Sequence, residues 1–162
     1  MCGLTGSLEF EPATPAETLA RQVKAMADTL HHRGPDSDGQ WLDAKAGIAL
    51  GFRRLAIIDL SEHGAQPMAS HDGRYVIVYN GEVYNFPEMR AELTAQGHEF
   101  NGHSDTEVIL AAIVEWGLEA AVKRFVGMFA IALWDRRERT LALVRDRLGI
   151  KPLYYAQFGR HL

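Results

Sequence analysis

Two apolar runs separated by five polar residues constrain the fold of this chain more than any other feature. Met128 to Trp134 is seven apolar residues in a row, Thr140 to Val144 is nearly as apolar, and Asp135 to Arg139 lies between them. A run with no polar member cannot alternate between core and water, so as a strand it must be covered on both faces. The polar interval reads as a hairpin turn, which makes the pair antiparallel. Seven residues also fall far short of the ~20 needed to span a bilayer. Asp72-Gly73 is a turn signal ahead of a similar run, Tyr75 to Tyr79. With helical segments between the strand pairs, the economical arrangement is α+β: two mainly antiparallel sheets face to face, with helices outside. The 162 residues suffice for one domain around one core.

The remaining segments fit that plan. Cys2 to Phe10 reads as a first strand, with Gly3 and Gly6 permitting close approach beside the cysteine. Thr14-Pro15-Ala16-Glu17 predicts a capping box with proline at the first helical position, and Leu19, Val23, Met26, Ala27 and Leu30 mark one helical face. His31-His32-Arg33-Gly34-Pro35-Asp36 forces a loop. Gly47 to Asp59 predicts two short strands or one bent strand carrying Arg53 and Arg54, and the strand from Tyr75 is expected to end at Asn80-Gly81-Glu82. Asn85 with Glu88 is expected to cap a helix with Met89 and Leu93 inward, closing at Gly97. Ser104-Asp105-Thr106-Glu107 predicts a second capping box, opening a helix with Ile109, Ala112, Ile113 and Trp116 inward. A shorter helix from Leu118 to Phe125 follows, and Pro152 to Ala156 predicts a last strand. No polar tail or helix stop precedes Leu162, so the chain is expected to continue into a further domain.

The chemistry centres on Cys2, the one cysteine, which stands directly behind the initiator methionine. Removal of Met1, favoured before so small a side chain, would leave one residue carrying both a thiol and a free α-amine. A thiolate attacks carbonyl carbon, and an α-amine ordinarily titrates near pH ~8, close enough to cellular pH to relay protons. Nucleophile and base would then share one residue, as in N-terminal threonine hydrolases. The competing reading is a small buried residue on the first strand or a frayed terminus. A single cysteine forms no internal disulfide and suits a reducing cytoplasm. The net charge of −4 and the lack of any Lys/Arg run argue against a nucleic acid or anionic membrane as partner. There is no Walker loop, dinucleotide fingerprint or paired-cysteine zinc spacing, and His98-Glu99 with His103 misses metalloprotease spacing, so no metal site is expected.

Seven segments taken together resemble one family: Met1-Cys2-Gly3, His32 to Asp36 (HRGPD), Arg54 to Asp59 (RLAIID), Asn80 to Asn85 (NGEVYN), Ser104 to Glu107 (SDTE), Gly127 to Asp135 (GMFAIALWD) and Arg145 to Tyr155 (RDRLGIKPLYY). They are similar to the N-terminal glutaminase domain of glutamine-dependent asparagine synthetases, a class II glutamine amidotransferase with an N-terminal-nucleophile fold. The departure is Ala56, where that family often has serine. The resemblance implies an αββα four-layer sandwich over residues 1–162. It implies that Cys2 attacks the glutamine side-chain amide to give a γ-glutamyl thioester, with its own α-amine shuttling protons. Asn80 and Gly81 would form the oxyanion hole, Arg54 would grip the α-carboxylate, and Asp105 the α-ammonium. Glu82 and residues Leu55, Ala56, Ile57 and Ile58 would line the glutamine site. No cofactor is implied here; ATP and magnesium belong to a C-terminal synthetase domain of the same chain, which would receive the ammonia beside Leu148 to Tyr155.

For each role the residues also allow a plainer one. Asp105 would favour a helix dipole in any case, Asn80-Gly81 is an ordinary turn dipeptide, and Arg54 could reach the surface. As a set, an ammonium clamp, a carboxylate clamp and a donor pair complement a bound amino acid and a forming oxyanion. Hydrolysis of another amide, an acceptor other than aspartate, a non-catalytic domain and any oligomeric state are left open by the sequence.

Overall fold

The computed structural model describes residues 2–57 and 59–162. Among them, two antiparallel sheets lie between helical layers. The first sheet consists of β1 (Gly3–Leu8), β2 (Ser37–Asp43) and β3 (Ile48–Arg54), in the order β1-β3-β2. The second consists of β4 (Met68–Ala69), β5 (Tyr75–Val83), β6 (Gly127–Asp135) and β7 (Thr140–Arg145), in that order.

Both central strands of the second sheet split their side chains between two cores, as the unbroken apolar runs require. Val76, Val78, Ala132 and Trp134 pack toward the first sheet against Ile48, Leu50 and Phe52. Ile77, Tyr79, Phe129, Ile131 and Leu133 pack the other way, against α2 (Phe86–Ala95), α3 (Asp105–Trp116) and α4 (Leu118–Arg124). The outer layer over the first sheet is α1 (Ala16–Thr29), whose Leu19 and Val23 bury against Ala49. Burying each such aliphatic side chain stabilises the layer by ~1.5–3 kcal/mol. The architecture is the expected αββα sandwich.

Several local expectations change. α1 opens at Pro15 with no side-chain cap, because the buried Glu9 carboxylate takes the Ala13 and Thr14 N–H groups and the helix starts one residue late. Asn85 likewise precedes α2 without capping it; its amide accepts from Val126 N–H and donates to the Arg124 carbonyl, joining α2 to the start of β6. Ser104 does cap α3, accepting from Glu107 N–H at 3.4 Å. Residues 152–156 form no strand: the Asp146 carboxylate accepts from Ile150 and Lys151 N–H while Arg145 donates to the carbonyls of Gly149 and Lys151.

Asn80-Gly81 is not a turn but part of β5, paired with Ala130 and Phe129 of β6. The strand continues because the pairing is so close. A Cβ on Gly81 would stand 2.2 Å from the Met128 carbonyl oxygen and 2.7 Å from Phe129 Cα. Both are backbone atoms of a central strand and cannot yield. Gly81→Ala should therefore lower unfolding free energy by ~2–3 kcal/mol in urea titrations; a wild-type midpoint would show that the two strands can part there.

Candidate active site

The thiol of Cys2 is half-buried at the start of β1. Its Sγ accepts from Leu55 N–H at 3.4 Å and lies 3.5 Å from the Leu55 carbonyl oxygen. The antiparallel ladder brings them together: Gly3 pairs with Arg53, so Cys2 falls beside the residues that leave β3. The Cys2 carbonyl accepts from Arg33 Nε at 3.1 Å, which fixes the terminal peptide on its other side.

Beyond the sulfur is a small recess of about 80 Å³, lined by Cys2, Arg54, Leu55, Ala56, Ile57, Gly81, Glu82 and Asp105 among others. One wall is the loop after β3, the other the start of α3, and the floor is β5. Asn80 alternates to the opposite face of β5 from Gly81 and is buried. It opens with Cys2 on a second cavity of about 430 Å³ that also touches Arg33, Leu153 and Tyr154. The Gly81 backbone and the Asn80 side chain thus each border a cavity that Cys2 also lines. Ile58 and Met1 lie outside the described residues.

The two charged ends of the recess differ in character. Arg54 donates to the Ser61 carbonyl at 2.8 Å and to the Asp59 carbonyl, so its guanidinium closes its own loop while facing the recess. Asp105 is buried in the first turn of α3, where Tyr79 hydroxyl donates to Oδ2 at 2.6 Å and Val83 N–H at 3.0 Å. Burial pushes its carboxyl above the ordinary value, with Glu82 adding like charge, although those two hydrogen bonds pull the other way. A cation placed in the recess would relieve that cost.

Asp59 is held at about 2, first by the His103 N–H and then by the Ser61 hydroxyl and N–H. Its folded value lies below the ordinary 3.8, so the stability it contributes is present above that pH and is lost as pH falls toward 2.

A family model described as a glutamine amidotransferase domain matches residues 1–162. The chain belongs to that family. Asparagine synthetase [glutamine-hydrolyzing] 1 of Bacillus subtilis is 46% identical over 155 residues, covering 96% of this chain and 24% of the relative. Asparagine synthetase [glutamine-hydrolyzing] 3 of the same organism is 43% identical over 161 residues, 98% of this chain and 25% of the relative. The chain therefore spans about a quarter of the length of these curated relatives. Among solved structures, glutamine phosphoribosylpyrophosphate amidotransferase from B. subtilis superposes with a TM-score of 0.78 at 19% identity, covering 98% of this chain and 40% of that one, which shows a shared fold.

In this amidotransferase domain the described residues predicted for the site gather around Cys2, from four segments distant in sequence. Sequence reasoning missed the residues that hold them. Asp36 Oδ2 accepts from Ala56 N–H at 2.8 Å, and Asp36 N–H donates to the Arg54 carbonyl, so the loop at 33–36 clasps the strand end. Gln66 accepts from Tyr79 N–H at 2.6 Å and donates to the Tyr79 carbonyl at 3.3 Å and to Thr106 Oγ1 at 3.4 Å, replacing a strand partner just before β4 begins. For Asp36 a signal existed, since charged residues flank Gly34-Pro35; for Gln66 there was none. No helix of the described residues is long and apolar enough to cross a membrane.

Proposed function

We propose that this domain hydrolyses glutamine to glutamate and ammonia through a thioester on Cys2. The observation that carries the reading is the position of the thiol at a recess with Arg54 on one side and Asp105 with Glu82 on the other. A free α-amino acid carries the complementary charges on one carbon. With its α-carboxylate toward Arg54 and its α-ammonium toward Asp105, the side-chain amide would extend toward the sulfur.

Once Met1 is removed, the α-amine of Cys2 takes the thiol proton as sulfur attacks the amide carbon. The oxyanion is met by the Gly81 N–H and the Asn80 amide. Collapse expels nitrogen, which takes the proton back from the α-ammonium and leaves as ammonia. Water, deprotonated by the same amine, then attacks the thioester, and the thiol and glutamate are released. This needs no group beyond the chain, glutamine and water.

The ammonia would go to a synthetase partner, which we place in the C-terminal part of a longer chain, with aspartate as acceptor. The size of the curated relatives supports this. So does the surface, where Leu148, Ile150, Tyr154 and Tyr155 are exposed side by side in sequence.

The test is intact mass spectrometry of the Met1-free protein treated with an electrophilic glutamine analogue. One adduct on Cys2, suppressed by glutamine and not by bulkier amides, is expected. Labelling indifferent to glutamine would point to another amide substrate, and no labelling would remove the catalytic reading.

A further inference from the structure

The Arg54–Asp105 pair can recognise an amino acid only if its two members keep a fixed separation, because the substrate charges sit on a single carbon. Yet the members belong to unconnected elements. Arg54 ends β3 and is braced by carbonyls of its own loop, and Asp105 starts α3. Among the hydrogen bonds of the described residues, two join residues 55–66 to residues 101–106: His103 N–H to Asp59 Oδ2 at 2.8 Å, the shorter and the one to a carboxylate, and Gln66 Nε2 to Thr106 Oγ1 at 3.4 Å.

The carboxylate that accepts it is itself anchored on the loop side. Asp59 Oδ1 accepts from Ser61 N–H at 2.8 Å and Ser61 Oγ at 2.6 Å, and Ser61 supplies a carbonyl that holds Arg54. The opposing turn is anchored to the helix, since Glu107 of α3 accepts from Asn101 N–H at 3.0 Å and Gly102 N–H at 2.8 Å. Five donors therefore converge on two carboxylates, with Asp59 as the joint between the two walls. The joint is tight: a Cβ on Gly102 would lie 2.7 Å from Asp59 Oδ2 and 2.7 Å from His63 Cβ.

We infer that Asp59 is a positioning residue that sets the span between Arg54 and Asp105, and hence the affinity of the site for the α-amino-acid end of its substrate. The inference rests on the glutaminase reading above. Asp59 acts through its neighbours, so its loss should weaken binding of the charged end and largely spare chemistry at the distal amide.

Asp59→Asn discriminates, because a carboxamide can keep the two Ser61 donors on its oxygen but then turns an NH2 toward the His103 N–H. Steady-state glutamine hydrolysis by the Met1-free variant should show KM raised about tenfold, with kcat lowered by less than about threefold. Alkylation of Cys2 by iodoacetamide, which has no amino-acid end, should proceed at the wild-type rate. Gly102→Ala, which keeps the carboxylate but wedges the joint apart, should raise KM in the same sense. Ser61→Ala, which leaves the His103 bond, should raise it less than either.

Unchanged KM in a folded Asp59→Asn or Gly102→Ala protein overturns the inference. So does a fall in kcat with KM unmoved, or slowed alkylation, since each would make Asp59 a general support of the site. If the wild-type protein itself released no ammonia from glutamine, the glutaminase reading would fail instead, and the two failures are therefore separable.

Discussion

Cys2→Ala is expected to reduce glutamine hydrolysis by at least ~10⁴-fold, to the level of background ammonia release, because the variant has no atom with which to form the thioester. Glutamine binding should survive. Among the described residues the thiol's hydrogen bonds are to the Leu55 backbone, at 3.4 and 3.5 Å, and sulfur hydrogen bonds of that kind are weak. The residues proposed to grip the substrate are held by other bonds: Arg54 by its loop carbonyls and Asp105 by Tyr79 and Val83. Calorimetric titration of the variant should give a glutamine Kd within about threefold of the wild-type KM, a difference of well under 1 kcal/mol. An active alanine variant would end the mechanism; an inactive variant that no longer binds glutamine would mean the thiol shapes the site. A protein that keeps Met1 should fold and bind normally yet hydrolyse poorly, because its only α-amine is then one residue away from the sulfur.

Asp105→Asn should raise the glutamine KM by about a hundredfold, the scale expected when a buried charge-assisted contact to the α-ammonium is lost. It should do so without lowering stability. The carboxamide oxygen of the variant can accept the same Tyr79 hydroxyl and Val83 N–H that now bind Oδ2. The sign of the pH effect follows from the raised carboxyl. A carboxyl whose folded value exceeds its unfolded value favours the fold at pH below both, and this contribution is lost as pH rises through the folded value. At neutral pH the ionised Asp105 therefore burdens the fold, and the asparagine variant should be as stable as the wild type or more so. The advantage should vanish below the ordinary carboxylate value of 3.8. Wild-type glutamine KM should also climb as pH is lowered toward the raised value, since the protonated carboxyl no longer attracts a cation. Thermal melts and KM measured across pH check both halves. A large loss of stability at pH 7 would make Asp105 a structural residue, and a wild-type KM would remove it from the site.

Legibility in the sequence follows the range of the forces involved. The strand pair β6–β7, the amphipathic face of α1 and the Ser104 cap of α3 are readable because each depends on neighbours a few residues away. The caps expected at Thr14 and Asn85 do not form. Local geometry suits them, but the nearby Glu9 carboxylate takes the Thr14 N–H, and the Arg124–Val126 backbone takes the Asn85 amide from about 40 residues away. Asn80-Gly81 resembles the end of a strand, yet its glycine answers to the backbone of β6, 47 residues along in its Gly81–Met128 contact, and not to a turn. The strand expected at 152–156 does not form; the residues just before it are held in a tight turn, with the buried Asp146 accepting from the Ile150 and Lys151 N–H groups.

From its own letters the chain determines a two-sided apolar sheet, its helical cover and a lone cysteine ahead of the first strand, since hydrophobic period and covalent order are local properties. Which side chains meet that cysteine is decided only by folding. The β1–β3 register delivers Leu55 to the sulfur, β5 brings both Asn80 and Gly81 to the borders of the cavities that Cys2 lines, and Asp59 and Gln66 tie the segment after β3 to the start of α3. Those are relations between segments far apart in the chain, and they arise when strand pairing and burial choose among partners that no local pattern can rank.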